Sequence, residues 1–262
     1  MVTKTITAAS AGINSYRVEV EVDVANSIPN ISIVGLPDNA VSEARERVHS
    51  AIKNSGYSFP LGRVIVNLAP ADIRKEGTNF DLPIAIGILK EQGIDIKDDL
   101  NTGFLGELSL DGSLRKINGV LPLVSGLKDS GVTTVFVPQE NAKEAALVQG
   151  VRVFGAKHLG DIVNHYVGTP LVETKVDINE YLAENAQVEF VFDFKDVKGQ
   201  QKAKKALEIA AAGGHNILMT GSPGSGKTLM AKCFASILPP LELEEALELT
   251  KIYSICGLVE QD

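Results

Sequence analysis

The sequence predicts an α/β protein of two domains, and three observations carry that expectation. Strand-like and helix-like segments alternate through residues 1–167, in an α/β or α+β order. An acidic, weakly periodic stretch at 168–189 then reads as a linker. From 190 to 262 a second domain opens, in which a short apolar run leads into a glycine-rich loop and a helix. A chain of 262 residues is long enough to bury two cores. With 44% apolar and 22% charged residues it has the composition of a folded rather than a disordered chain.

The elements follow in order. Tyr16–Val24 alternates apolar and charged residues strictly, the pattern of a strand with one buried and one wet face. Ile31–Val34 reads as a second strand ending at Gly35. Pro37 opens a helix whose Val41, Ala44, Val48, Ala51 and Ile52 share one face, closed by Gly56. Its Glu43, Arg45, Glu46 and Arg47 fit the solvated face, with opposite charges three and four residues apart. Arg63–Leu68 is a strand, and Leu82–Gln92 a largely apolar helix stopped by Gly93. Thr102–Leu114 holds a hairpin in which Asp111-Gly112 is favoured two-residue turn chemistry. Helix Val120–Ser130 then leads to strand Thr134–Val137, and helix Asn141–Gln149 to strand Val151–Phe154. One short helix is expected within the linker.

Composition removes several classes of function. No apolar run reaches the roughly 18 residues of a membrane span. Met1–Ile6 has no charged head before an apolar core, so a cytoplasmic location is expected. Cys233 and Cys256 form no metal or redox spacing and suit a reducing compartment. The four histidines are scattered, so no His/Cys metal site is expected. A net charge of −8 argues against wholesale polyanion binding, although a local basic surface on an acidic body would still hold phosphates.

The strongest signal lies in the second domain. Asn216–Thr220 is an apolar run of strand length, and Leu229–Leu238 is helical. Between them Gly221, Ser222, Pro223, Gly224, Ser225, Gly226, Lys227 and Thr228 complete the pattern G-x-x-x-x-G-K-[ST] in its strand–loop–helix context. Glycines let successive backbone N–H groups turn inward around phosphate oxygens, and the positive helix end adds to that field. Lys227 is placed for the β and γ phosphates, and the Thr228 hydroxyl for Mg²⁺. ATP and Mg²⁺ are the expected cofactors. A plain strand-to-helix turn would not need this combination.

Upstream, Phe194–Gln200 precedes a helix carrying Ala203, Ala206, Leu207 and Ala210. This resembles the segment that packs beside adenine in AAA+ ATPases, which places Val197, Gly199 and Gln200 at the nucleotide. The nearby Lys198, Lys202, Lys204 and Lys205 fit a solvated helix face better than a phosphate contact. No apolar strand ending in Asp-Glu follows Lys227, and no arginine finger is identifiable. The chain is therefore expected to be a fragment that binds ATP without turning it over, with no catalytic residue of its own.

The chain also resembles, along essentially its whole length, the ComM/YifB family, often labelled magnesium chelatase-related or ChlI-like. The resemblance rests on Val34–Asp38, Asn67–Asp72, Glu76–Pro83, Gly106–Gly112, Gly213–Asn216 and Leu238–Leu241. It implies a first domain of the ribosomal S5 domain-2/Lon-protease-like fold, followed by a magnesium-chelatase-like AAA+ domain in a hexameric ring. It further implies DNA, single-stranded or branched, as partner, and a branch-migration helicase of natural transformation as function. The alternative is a chelatase-type or protein-remodelling ATPase. Where Lon proteases carry K-D-G-P-S-A-G, this chain has Lys75–Asp81, with Asn79 in the serine position, and Val120-Leu121 where the catalytic lysine is expected. An amide is no nucleophile and leucine accepts no proton, so the domain is expected to be proteolytically inactive. Thr78 with Lys116 is the one substitute pair, and in the loop 71–78 Arg74 and Lys75 are candidate DNA contacts, although a solvated turn fits them better.

Overall fold

The computed structural model describes residues 2–97, 100–177 and 191–259. The chain divides into two compact units, Met1–Val176 with Leu247–Asp262, and Asp177–Ala246. The first is mixed α/β, as expected, whereas the described residues of the second form helices and no strand.

The first unit is built on one mixed sheet. In chain order its early elements are β1 (Thr3–Ala11), β2 (Asn14–Ala25), β3 (Asn30–Val34), α1 (Asn39–Asn54), β4 (Arg63–Ala69) and α2 (Asp81–Glu91). The later ones are β5 (Thr102–Phe104), β6 (Glu107–Leu108), β7 (Leu114–Arg115), α3 (Val120–Asp129) and β8 (Thr134–Pro138). They end with α4 (Ala142–Ala145), β9 (Arg152–Ala156), α5 (Leu159–Val167) and β10 (Glu173–Thr174). The eight-stranded sheet runs β10-β9-β8-β5-β1-β2-β4-β3, while β6 and β7 form a small sheet of their own.

The two halves of the large sheet bear out their sequence patterns. In β2, Val18, Val20 and Val22 turn into the core, joined by Val64, Val66 and Leu68 of the antiparallel β4. The opposite side is wet: Lys4 pairs with Glu21 at 2.9 Å and Asn67 donates to Glu21 at 2.9 Å. The half β5-β8-β9 is parallel and buried on both faces, as its near-continuous apolar strands require. Phe104, Phe136 and Phe154 stand in register and stack at 5.3 Å on one face. Val135, Val137 and Val153 enter a second core, under α3 and α4.

Helix α1 starts two residues later than expected. Asp38, not Pro37, caps it, accepting the Val41 N–H at 2.8 Å, a contact worth about 1 kcal/mol. Its five expected apolar positions are all buried. Helix α2 is buried from Asp81 to Leu89. It lies so close to the sheet that a Cβ on Gly87 would meet the Val22 methyl at 2.7 Å.

Other elements differ from expectation. The hairpin is confined to β6 and β7, with Ser109–Ser113 as its loop, because Thr102–Phe104 is claimed by the large sheet. Asn141–Gln149 shortens to α4 after a single tight turn at Gln139–Asn141. Glu173–Thr174, expected in the linker, pairs antiparallel with β9, and the short linker helix falls outside the described residues. Residues 247–259, expected with the second domain, pack in the first unit. There Gly119 donates its N–H to the Ser254 carbonyl at 2.9 Å, and Lys116 reaches the Val259 carbonyl at 3.3 Å.

The second unit is small. It holds α6 (Gln201–Gly213), α7 (Lys227–Phe234) and the start of α8 (Leu243–Ile255). Its core consists of Phe194, Val197, Leu207, Met230 and Cys233.

Candidate nucleotide-binding site

The apolar run Asn216–Thr220 does not form the expected strand. A strand needs a neighbour to accept its N–H and C=O groups. The second unit offers none among its described residues, and Leu218 stands 87% exposed. The loop that follows is formed nonetheless. Gly224 and Gly226 take positive φ angles of 78° and 84°, conformations that disfavour any side chain. Nothing lies within 4 Å of where a Cβ would sit on either, so the space beside the loop is open.

Helix α7 begins at Lys227, directly after Gly226, and carries Thr228 exposed in its first turn. The Lys227 ammonium donates to the Gly221 and Ser222 carbonyls, both at 2.8 Å, and contacts the Ser225 hydroxyl at 3.3 Å. The cation is thus folded back over its own loop, spanning Gly221 to Ser225. Flexible glycines, open space, an exposed hydroxyl and a helix N-terminus next to a lysine are what a triphosphate with Mg²⁺ requires. These residues fit ATP.

The upstream residues divide. Val197 is buried with Met230 and Cys233 of α7, so its segment is fastened to the helix behind the loop. Gly199 and Gln200 are exposed and left-handed in conformation, at φ 67° and 53°, where the chain turns into α6. The turn before them is held by Asp193, which accepts the Lys195 N–H at 2.9 Å, and by the Phe194 N–H, which donates to Ser236 at 2.9 Å. Among the lysines, Lys204 lies over the Phe194 ring at 5.6 Å and Lys205 pairs with Glu208 at 3.6 Å. Both follow the solvated-face reading.

In the first unit the positions expected for a peptidase dyad hold no such chemistry. Asn79 is buried and donates its amide to the Ala8 carbonyl at 2.8 Å. Leu121 is buried in the core beneath α3. Lys116, the substitute base, donates to Val259 rather than to Thr78. Lys75, a candidate DNA contact, points inward: it is fully buried and its ammonium donates to the carbonyls of Pro70 and of Ile73, the latter at 2.7 Å. Burial pushes its pKa down. Arg74 does face solvent, paired with Glu76 at 3.3 Å.

Arg47, expected on the solvated face of α1, instead turns inward to a buried ion pair. Asp81, fully buried at the start of α2, accepts two bonds from Arg47 of α1, at 2.7 and 3.0 Å. It also accepts the Leu108 N–H at 3.1 Å, which ties α1, α2 and the small hairpin together. Burial pushes the carboxyl up to about 6, against the pull of Arg47 and the Leu108 N–H. The signal was present as an Arg on a helix face and an Asp opening an apolar helix, but only tertiary contact pairs them.

Comparison with known proteins finds relatives along nearly the whole chain. The family described as subunit ChlI of Mg-chelatase matches residues 20–141, and the family described as magnesium chelatase, subunit ChlI, matches residues 193–262. YifB of Salmonella typhimurium is 41% identical over 251 residues, covering 95% of this chain and 48% of its own length. Competence protein ComM of Haemophilus influenzae is 40% identical over 248 residues, covering 94% and 48%. Lon protease 2 of Bacillus subtilis is 25% identical over 183 residues, covering 63% and 33%. The chain spans about half the length of the curated relatives it matches. It belongs to the ComM/YifB family of ChlI-related proteins, whose members are ATPase-like.

Proposed function

We propose that the chain is the nucleotide-binding part of an ATP-driven AAA+ motor that acts on DNA, working in the cytoplasm as a homo-oligomeric, hexameric ring. The observation that carries the first half of this reading is the loop Gly221–Thr228, with Lys227 poised over open space at the start of α7. Support for the second half is the 40% identity to a protein named for competence.

ATP with Mg²⁺ supplies a phosphoanhydride bond whose cleavage can drive conformational work. Each residue of the site would hold a different part of it. Lys227, now on the Gly221 and Ser222 carbonyls, would hold the β and γ phosphate oxygens. Backbone N–H groups from Ser222 to Lys227 and the first turn of α7 share the remaining charge. The exposed Thr228 hydroxyl would hold Mg²⁺. Val197, fixed in the core behind α7, sets the wall beside which Gly199 and Gln200 meet the adenine. Hydrolysis needs an acidic group to polarise water and an arginine from a neighbour. The first unit, with Asn79 and Leu121 in the dyad positions, serves as a proteolytically inactive binding or docking module.

The ChlI resemblance favours a second reading, a motor that remodels a protein or serves metal insertion. ATPase assays on the full-length protein separate the two. Stimulation by single-stranded or branched DNA, lost with Lys227→Ala, supports the DNA motor. ATP turnover unchanged by any DNA, together with no DNA binding, contradicts it.

A further inference from the structure

Strand β3 closes one end of the large sheet, and among the described residues its outer edge pairs with no strand. Exposed edge strands are ordinarily guarded by a charged side chain, a proline or a bulge, since unpaired N–H and C=O groups recruit other strands. Asn30-Ile31-Ser32-Ile33-Val34 carries none of these within its length. Beside it lies a groove of about 360 Å³, walled by β3, by α1 and by the turn before β4. Leu61, 89% exposed, lines it, and Ile28, 84% exposed, lies two residues ahead of β3. On the α1 side, Arg45, Glu46, His49 and Lys53 line the groove, and Arg45, His49 and Lys53 recur every four residues. Arg45 has only a long, exposed contact of 3.8 Å to Glu46. His49 rests edge-on against Phe59, with ring centres 4.6 Å apart.

We propose that β3 is a docking edge for an extended, acidic segment of another protein, which adds as a ninth strand to the sheet. The unguarded main chain supplies the ladder, Ile28 and Leu61 take alternate apolar side chains, and Arg45 and Lys53 receive the carboxylates between them. In the lining Arg45 and Lys53 outnumber Glu46, a small net positive charge on a chain of net charge −8, so charge favours an acidic occupant. A second copy of this chain is disfavoured by the same charges. Twofold pairing through β3 would set one Arg45–Lys53 stripe beside another. A nucleic-acid strand would meet the cations but leave the strand amides and the two apolar side chains without partners.

The test uses the full chain and a synthetic peptide of alternating valine and glutamate. Amide hydrogen exchange is followed over Asn30–Val34, and affinity by fluorescence anisotropy. The expected result is slower exchange across β3 on adding the peptide. Affinity should fall roughly tenfold or more in the surface variant Arg45→Glu/Lys53→Glu. It should also be lost when alternate peptide amides are N-methylated. Three results overturn the proposal: protection by oligo-dT and not by the peptide, protection of β3 through concentration-dependent dimerisation without peptide, or no change in exchange with any probe. The P-loop is untouched by these variants, so ATP binding reports separately on the proposed function.

Discussion

The two units of this chain solve different problems. The first closes a core on both faces of an eight-stranded sheet and tucks a charged pair, Arg47 and Asp81, inside it. The second gathers five side chains into its core and leaves Leu218, Leu238 and Leu241 exposed. The second nevertheless carries the loop proposed to hold the nucleotide. The difference shows that a phosphate loop is a local object, whose shape follows from glycine conformations and one lysine within eight residues. A sheet is not local, because each strand depends on hydrogen-bond partners supplied from elsewhere.

The comparison breaks most visibly at Arg47. Arg47→Ala leaves the Asp81 carboxylate buried and unpaired, and should destabilise the first unit by about 3–5 kcal/mol. Denaturant unfolding followed on first-unit aromatics would read this loss, and nucleotide binding at low denaturant should be retained. A smaller effect is expected where α2 touches the sheet. Gly87→Ala forces a Cβ against Val22 and should cost about 1–3 kcal/mol, part of it offset by the better helix propensity of alanine.

The Asp81 carboxyl sharpens the contrast through pH. Its folded pKa lies near 6, above the unfolded range, so its contribution is fully present below the unfolded pKa and is lost as pH rises through about 6. Lowering pH from 7 to 5 should therefore widen the stability advantage of the natural protein over Asp81→Asn. Parallel curves for the two proteins would contradict the assignment. The smallest effect belongs to the second unit. Leu218→Ser removes a side chain that contacts little, and should change the chain's stability by less than about 0.5 kcal/mol.

Much of this organisation is legible in the amino-acid sequence. Strict alternation in β2, the apolar face of α1 and the glycine-lysine loop are each written in neighbouring residues. The features that are not legible depend on distant contacts. Strand β1 is rich in threonine and alanine and shows little apolar alternation, yet Thr5 and Thr7 are fully buried there. Thr5 satisfies its hydroxyl on the Pro83 carbonyl at 2.9 Å. Helix α5 is nine residues long and takes its place from Leu159, Ile162 and Val163 packing in the main core. At Asn216–Thr220 the mismatch runs the other way: its apolar pattern reads as a strand, but no described neighbour completes one. The groove along β3 has no sequence signature, because its wall joins α1 to a turn some residues later.

The central claim is that Gly221–Thr228 holds a nucleoside triphosphate through Lys227. It is tested most directly by titrating a fluorescent ATP analogue with Mg²⁺ into the natural chain and into Lys227→Ala, with circular dichroism confirming that both are folded. Saturable binding by the natural chain, weakened by about two orders of magnitude in the variant, is the expected result. Equal affinity of the two, or no saturable binding to the natural chain, would contradict it.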